Sequence, residues 1–207
     1  MIPEEILLFK LNLTIKTKKM KNYFKLVSIT LFTLLFVACS SDDDAAPEPV
    51  NEEEVITTMI VTLDGPDQSV TLEYQDLDGD GPDSATINVS EALIAGATYA
   101  GSIRLLNETE DPAENVTEEI EEEDDEHQFF YAPSSDLNVE VEYGNFDGNG
   151  NPLGTMFMLT TGAASSGALT FTLIHEPDKS GDGVSEGDIT NAGGSTDIEV
   201  TFELEVQ

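Results

Sequence analysis

Ile198-Glu199-Val200-Thr201-Phe202-Glu203-Leu204-Glu205-Val206 alternates an apolar residue with an acidic or hydroxyl residue at every step. A period of two puts five apolar side chains on one face of a strand and four polar ones on the other, a division that a helix of 3.6 residues per turn cannot make. The same alternation recurs upstream in Leu137-Val139-Val141-Tyr143 and Leu169-Phe171-Leu173. Less regular apolar runs at Val55–Leu63, Val70–Tyr74, Ala85–Val89, Thr98–Leu106, Gln128–Tyr131 and Thr155–Thr161 complete a set of about nine short strands. Clusters of Gly, Asp, Asn and Pro separate them, as turns require. The expectation is an all-β domain over residues 55–207, a single antiparallel β-sandwich of immunoglobulin-like type. No alternating β-α units are present, and about 150 residues suffice for one core.

Charge sets the next constraint. The chain has 8 Lys+Arg and 42 Asp+Glu, and residues 1–38 hold six of the basic residues and two of the acidic ones. From Cys39 onward two basic residues, Arg104 and Lys179, face 40 acidic ones, a net charge of −38 over 169 residues. Nucleic acid is excluded as a partner, because backbone affinity depends on Lys and Arg. Self-repulsion of this size opposes compaction. Either cations offset it or much of the charge lies in solvated loops.

A loop type with oxygen side chains at positions 1, 3 and 5 and Gly at position 6 occurs three times. The copies begin with Asp76, Asp78 and Asp80; with Asn145, Asp147 and Asn149; and with Asp178, Ser180 and Asp182. This is the first half of an EF-hand-like calcium loop, in which alternate side chains converge on one hard cation. The closing acid of position 12 is replaced by Ile87, Met156 and Ile189, so Asp83 after the first loop and Glu186 or Asp188 after the third are the available substitutes. Calcium is the expected ion, at the weak affinity of extracellular modules, roughly 10⁻⁴–10⁻³ M. The competing explanation is that Asp, Asn and Gly are simply what β-turns are made of.

Two further features carry charge or donor atoms. Glu118 to Glu126 contains eight acids in nine residues, preceded by Asn115 in a position to cap a short helix. It reads as a solvated acidic protrusion. His127 and His175 are the only histidines, each beside a glutamate, Glu126 and Glu176. Paired across the sandwich they form an alternative site for zinc or copper, with Met156 and Met158 as soft donors for copper. His175 shares parity with Leu169, Phe171 and Leu173, so an ordinary histidine at a strand end explains it equally.

Catalytic signatures are sparse. There is no H-E-x-x-H and no Walker loop, and 40 acids make some carboxylate pair inevitable by chance. The absence of tryptophan removes the favoured sugar-stacking platform. A non-enzymatic protein is expected.

Cys39, the single cysteine, follows a basic start at Met20–Lys25 and an apolar run from Leu26 to Ala38, the pattern of a secretory signal. The run is too short for the about 20 apolar residues of a membrane span. Leu35-Phe36-Val37-Ala38-Cys39 resembles the lipobox of bacterial lipoproteins, with Phe36 where Leu is usual, and that resemblance implies a lipidated thiol on Cys39. Ser40-Ser41-Asp42-Asp43-Asp44 resembles the surface-export signal of Bacteroidota lipoproteins. With Asn51-Glu52-Glu53-Glu54-Val55-Ile56-Thr57-Thr58, Glu126-His127-Gln128-Phe129-Phe130-Tyr131 and His175-Glu176-Pro177, the chain as a whole resembles a group of small surface lipoproteins of Bacteroidota.

The resulting organisation is an upstream extension at residues 1–19, with translation expected to begin at Met20; a lipoprotein signal peptide at 20–38; an acidic, Pro-containing linker at 39–54; and the β-domain at 55–207. The linker reaches at most about 50 Å when extended. The resemblance implies an outer-membrane protein, anchored by lipid and displayed at the cell surface. The functional expectation is a binding or accessory module with calcium-stabilised loops and a glycan or protein partner. Two alternatives stand beside it: a structural acidic envelope lipoprotein, and a zinc- or copper-binding protein.

Overall fold

In the strand Ser195–Val206 the alternation is realised side chain by side chain: Ile198, Val200, Phe202, Leu204 and Val206 are buried, whereas Glu199, Thr201, Glu203 and Glu205 are exposed. The computed structural model describes residues 54–79, 81 and 84–207. The extension, the signal peptide, the lipidation site Cys39, linker residues 39–53 and the predicted ligands Asp80 and Asp83 lie outside the described residues. Among the described residues no helix is long and apolar enough to cross a membrane.

The described residues form nine strands: β1 (Thr58–Asp64), β2 (Ser69–Gln75), β3 (Thr86–Val89), β4 (Thr98–Leu106), β5 (His127–Pro133), β6 (Val139–Tyr143), β7 (Met156–Thr161), β8 (Ser165–His175) and β9 (Ser195–Val206). Each coincides with one of the expected apolar runs. They form two antiparallel sheets, one of six strands in the order β3-β2-β1-β4-β7-β6 and one of three in the order β5-β8-β9. One short helix, α1 (Val116–Glu122), joins β4 to β5.

The inner faces of both sheets meet in a single core. Met59, Val61, Leu63, Tyr99, Ile103, Phe157 and Leu159 come from the larger sheet, and Phe129, Leu169, Phe171, Leu173, Val200, Phe202 and Leu204 from the smaller. Aromatic rings bridge the two: Phe157 lies 5.8 Å from Phe171, which is 5.9 Å from Phe202, and Tyr131 packs on Phe157 at 5.0 Å. Offset and edge-on pairs at these separations add to the area they bury. Gly101 makes room for Phe157, since a Cβ there would stand 2.3 Å from the ring.

The acidic helix is less of a protrusion than expected. Val116, Thr117 and Ile120 face the core, and Thr117 Oγ1 accepts the Leu105 N–H at 2.7 Å, so the glutamates are turned outward by the apolar side of the helix. Asn115 precedes the helix, and its carbonyl accepts the Glu118 N–H at 3.2 Å; its side chain caps no backbone N–H, and its amide donates to Glu118 Oε1 at 2.8 Å.

The β8–β9 connection is not structureless either. It holds two 3₁₀ turns, Val184–Glu186 and Ile189–Asn191, and folds over the outer side of the smaller sheet, where Val184 and Ala192 bury Phe130 and Ile174. Gln128 Nε2 ties it down by donating to the Val184 carbonyl at 2.9 Å.

Candidate metal centre

The two histidines are neighbours within one sheet, not partners across two. His127 opens β5, His175 closes β8, and the antiparallel register sets them directly opposite each other with ring centroids 4.5 Å apart. Both have the parity of the core-facing residues Phe129 and Leu173. Their rings therefore point inward at the end of the sheet.

Two carboxylates complete the group. Glu54, just ahead of β1, brings Oε1 to 3.0 Å from His127 Nε2 and Oε2 to 3.5 Å from His175 Nδ1. Asp197 brings Oδ2 to 3.9 Å from His127 Nε2 and Oδ1 to 3.8 Å from His175 Nδ1. The side chains of Glu54, His127, His175 and Asp197 are 6%, 0%, 4% and 0% exposed, so the group is closed to bulk water. One donor atom from each residue lies within 4.8 Å of the others.

Asp197 reaches this position through a fault in the ladder. The register steps from Leu173↔Ile198 to Ile174↔Thr196, which makes Asp197 the inserted residue of a β-bulge. Bulges re-aim side chains, and here an acid that strict alternation assigns to the solvent face is turned between two imidazoles. Gly194 sets up the approach to β9: its φ is +69°, and a Cβ would stand 2.2 Å from the His175 carbonyl oxygen.

The geometry suits a metal ion. Edges of a tetrahedron around zinc, with bonds of about 2.0–2.2 Å, measure about 3.3–3.6 Å; here the ring nitrogens lie 3.0–3.9 Å from different oxygens of the two carboxylates, and one donor atom per residue falls within 4.8 Å of the rest, so a four-ligand shell closes with a modest inward adjustment of side chains. Ligating histidines commonly bond their other ring nitrogen to a carbonyl or carboxylate. His127 Nδ1 is 3.1 Å from the Glu123 carbonyl; His175 Nε2 makes no such bond, since Glu126 Oε2 stands 3.9 Å away. Glu54 Oε2 and His175 Nδ1 are buried and make no hydrogen bond. Buried polar atoms are normally bonded, and a shared cation is what would satisfy this pair. The residues can thus hold a metal ion; the copper donors expected from sequence take no part. Met156 and Met158 are on β7 in the other sheet, 53% and 38% exposed.

The three Asp- and Asn-rich loops behave differently. In the first, Asp76 Oδ1 accepts the Asp78 N–H at 3.3 Å. In the second, Asn145 Oδ1 accepts from the Gly154 and Met156 N–H groups, and its amide donates to Thr155. Asp147 Oδ1 accepts from the Asn149 and Asn151 N–H groups at 2.8 and 2.9 Å. Its Oδ2 meets Lys179 Nζ at 3.2 Å. Burial works against ionisation of Asp147, but the bonds from Asn151, Lys179 and Asn149 outweigh it and hold the carboxyl below its ordinary value. Asn149 contributes only its backbone N–H to this turn. In the third loop Asp178 Oδ1 accepts both the N–H and the hydroxyl of Ser180, and the Asp182 carbonyl accepts from Asn191. These are turn-stabilising bonds of the kind Asp and Asn make in loops.

Lys179 ties three connections together. Its Nζ donates to the Asp124 carbonyl at 2.5 Å, the Pro152 carbonyl at 3.1 Å and Asp147, using all three of its hydrogens. Asp124 follows Glu123, whose carbonyl holds His127. The lysine clamp and the histidine therefore share one turn.

Gly183-Val184-Ser185-Glu186-Gly187 fits the G-x-S-x-G spacing of serine hydrolases. Ser185 lies on a 3₁₀ turn between antiparallel strands, and its hydroxyl donates to Glu186 at 2.9 Å. A nucleophile elbow requires a strand-to-helix turn, which this segment is not. Compared with protein-family models, curated proteins and solved structures, the chain matches none.

Proposed function

We propose that this protein is a metal-binding module of the cell envelope, with a zinc-class divalent ion held by Glu54, His127, His175 and Asp197 and with the domain tethered by lipid on Cys39. The observation that carries the reading is the convergence of two imidazoles and two carboxylates in a closed pocket. Imidazole nitrogens favour zinc, iron, nickel or copper over calcium. Four protein ligands with no open side match a structural or storage site better than a catalytic one, which keeps a position for water.

Charge balance supports the same reading. The carboxylates of Glu54 and Asp197 bring two negative charges to one buried place, and one divalent cation balances them. The envelope placement rests on the leader and the lipobox-like segment.

The finer fold reading, an immunoglobulin-like sandwich, draws support from strand order. Setting aside the β2–β3 hairpin leaves β1-β4-β7-β6 against β5-β8-β9, which is the ABED and CFG arrangement of constant-type immunoglobulin domains. In that scheme the β4–β5, β6–β7 and β8–β9 connections lie at one end, and Lys179 links all three.

Metal analysis of the full chain purified from its producing cell tests the proposal. About one equivalent of a divalent transition metal is expected, retained through gel filtration and lost in the His127→Ala/His175→Ala variant. Metal-free protein that also fails to take up added zinc would sink it. Mass spectrometry of the same material tests the acyl chains on Cys39.

A further inference from the structure

The buried centre leaves open how an ion reaches it, and a second donor group answers that. Glu126, His175 and Glu176 also place one donor atom each within 4.8 Å of one another. Glu126 is 52% exposed and Glu176 is exposed, whereas His175 is buried. The ladder that pairs His127 with His175 continues outward by one bond, from the Glu176 N–H to the Glu126 carbonyl at 2.6 Å, so the two glutamates flank the same strand end. His175 is common to both groups. Its Nε2 faces Glu126 at 3.9 Å, while its Nδ1, buried and without a hydrogen bond, faces Glu54 and Asp197 at 3.5 and 3.8 Å.

We infer that Glu126, Glu176 and the Nε2 edge of His175 form an outer loading position through which a divalent metal ion enters and leaves the buried centre. The inference rests on the centre proposed above. The inner ligands are almost wholly enclosed, and the imidazole of His175 is the side chain that presents one nitrogen to the enclosed carboxylates and the other to exposed ones. Glu126 and Glu176 offer the charge that captures a hydrated cation, and the ring offers the first nitrogen ligand. A neutral imidazole has a single lone pair, so His175 serves one side at a time and the outer position empties as the inner one fills. Stoichiometry stays at one ion per chain. Because the outer glutamates touch the ion only in transit, they govern the rate of exchange in both directions and not the final affinity.

Stopped-flow zinc loading of the full chain, with release measured by a competing chelator and affinity by calorimetry, tests this. The Glu126→Gln/Glu176→Gln variant should load and release zinc about tenfold more slowly, with the dissociation constant unchanged within about twofold. A Glu203→Gln/Glu205→Gln control removes the same charge from the exposed face of β9 and measures general steering, which acts on association alone. Rates equal to those of the control overturn the loading position. So does a weaker affinity through faster release, which would make Glu126 and Glu176 ligands of the final site, or two zinc ions per wild-type chain. A chain that takes up no zinc overturns the centre itself and the loading position with it.

Discussion

Buried carboxylates at two places in this protein are handled in opposite ways. Asp147 is neutralised from within: Lys179, one of only two basic residues after residue 38, reaches it at 3.2 Å, and backbone N–H groups fill its other oxygen. The carboxylates of Glu54 and Asp197 instead face the imidazoles of His127 and His175 at 3.0–3.9 Å. A chain with 40 acids and two bases after its leader can supply an internal cation once, at the place where three connections must be held together. The histidine cluster, on the reading proposed above, draws its cation from solution. The difference teaches that two groups of carboxylates in dry surroundings can be balanced in two ways, one by a lysine of the chain and the other by donors arranged so that they can hold an ion.

The largest effect should come from breaking the internal pair. Lys179→Met leaves Asp147 buried without its cation and two carbonyls without a donor, and loss of one partner from a buried pair costs about 3–5 kcal/mol. Urea denaturation checks this. Lys179→Met/Asp147→Asn should recover part of the loss, since no charge is then stranded; equal stability of the single and double variants would mean the lysine acts by packing alone. Next in size is metal removal. At a hundredfold excess over its dissociation constant a ligand stabilises by about 2.7 kcal/mol, worth on the order of 5–10 °C in a domain of this size. Zinc should raise Tm by that amount in wild type and in Lys179→Met, but not in His127→Ala/His175→Ala.

Much of this molecule was legible in its sequence, and what escaped did so for physical reasons. Strands β6, β8 and β9 follow from apolar alternation, because a sheet with one buried face imposes a period of two, and the other six follow from short apolar runs bounded by turn residues. The histidines were visible as a pair, yet their adjacency within one sheet depends on β5 lying beside β8, a long-range choice that local pattern does not encode. Asp197 was invisible: parity places it with Glu199 and Glu203, and only the bulge turns it inward. Glu54 was hidden in Glu52-Glu53-Glu54, where nothing distinguishes the third acid from the first two. Two cues did point to the site, the glutamate beside each histidine and the scarcity of basic residues. The Asp147 loop shows why such spacing is ambiguous, since the pattern that gathers oxygens for calcium also gathers backbone N–H donors for a turn.

Gly194→Ala separates the two regions at a smaller scale. The substitution forces a side chain into a left-handed backbone and toward the His175 carbonyl, at a cost of about 1–3 kcal/mol. The strain falls at the entry to β9, so zinc affinity should drop while the dependence of stability on the Asp147–Lys179 pair, measured by the same double-variant comparison, stays as in wild type. A change in that coupling would show that clamp and centre form one mechanical unit through the Glu123–Asp124 turn.

The smallest effect is confined to the acid limb, and its sign follows from Asp147. Its carboxyl is held below the ordinary value in the fold, so near pH 3–4 the unfolded chain binds a proton that the folded chain does not. Stability contributed by this group is complete above its unfolded pKa of about 3.9 and is lost as pH falls through the lower folded value. Lys179→Met/Asp147→Asn lacks the titrating group and should show a shallower fall of unfolding free energy below about pH 4 than wild type. Above pH 5 the two curves should run parallel. The zinc-free state should be used for both, because the histidine cluster then contributes equally to each and the difference isolates the clamp. Parallel curves throughout the acid limb would mean that Asp147 titrates alike in the folded and unfolded chains, and the contrast between an acid neutralised from within and one neutralised from solution would lose its first half.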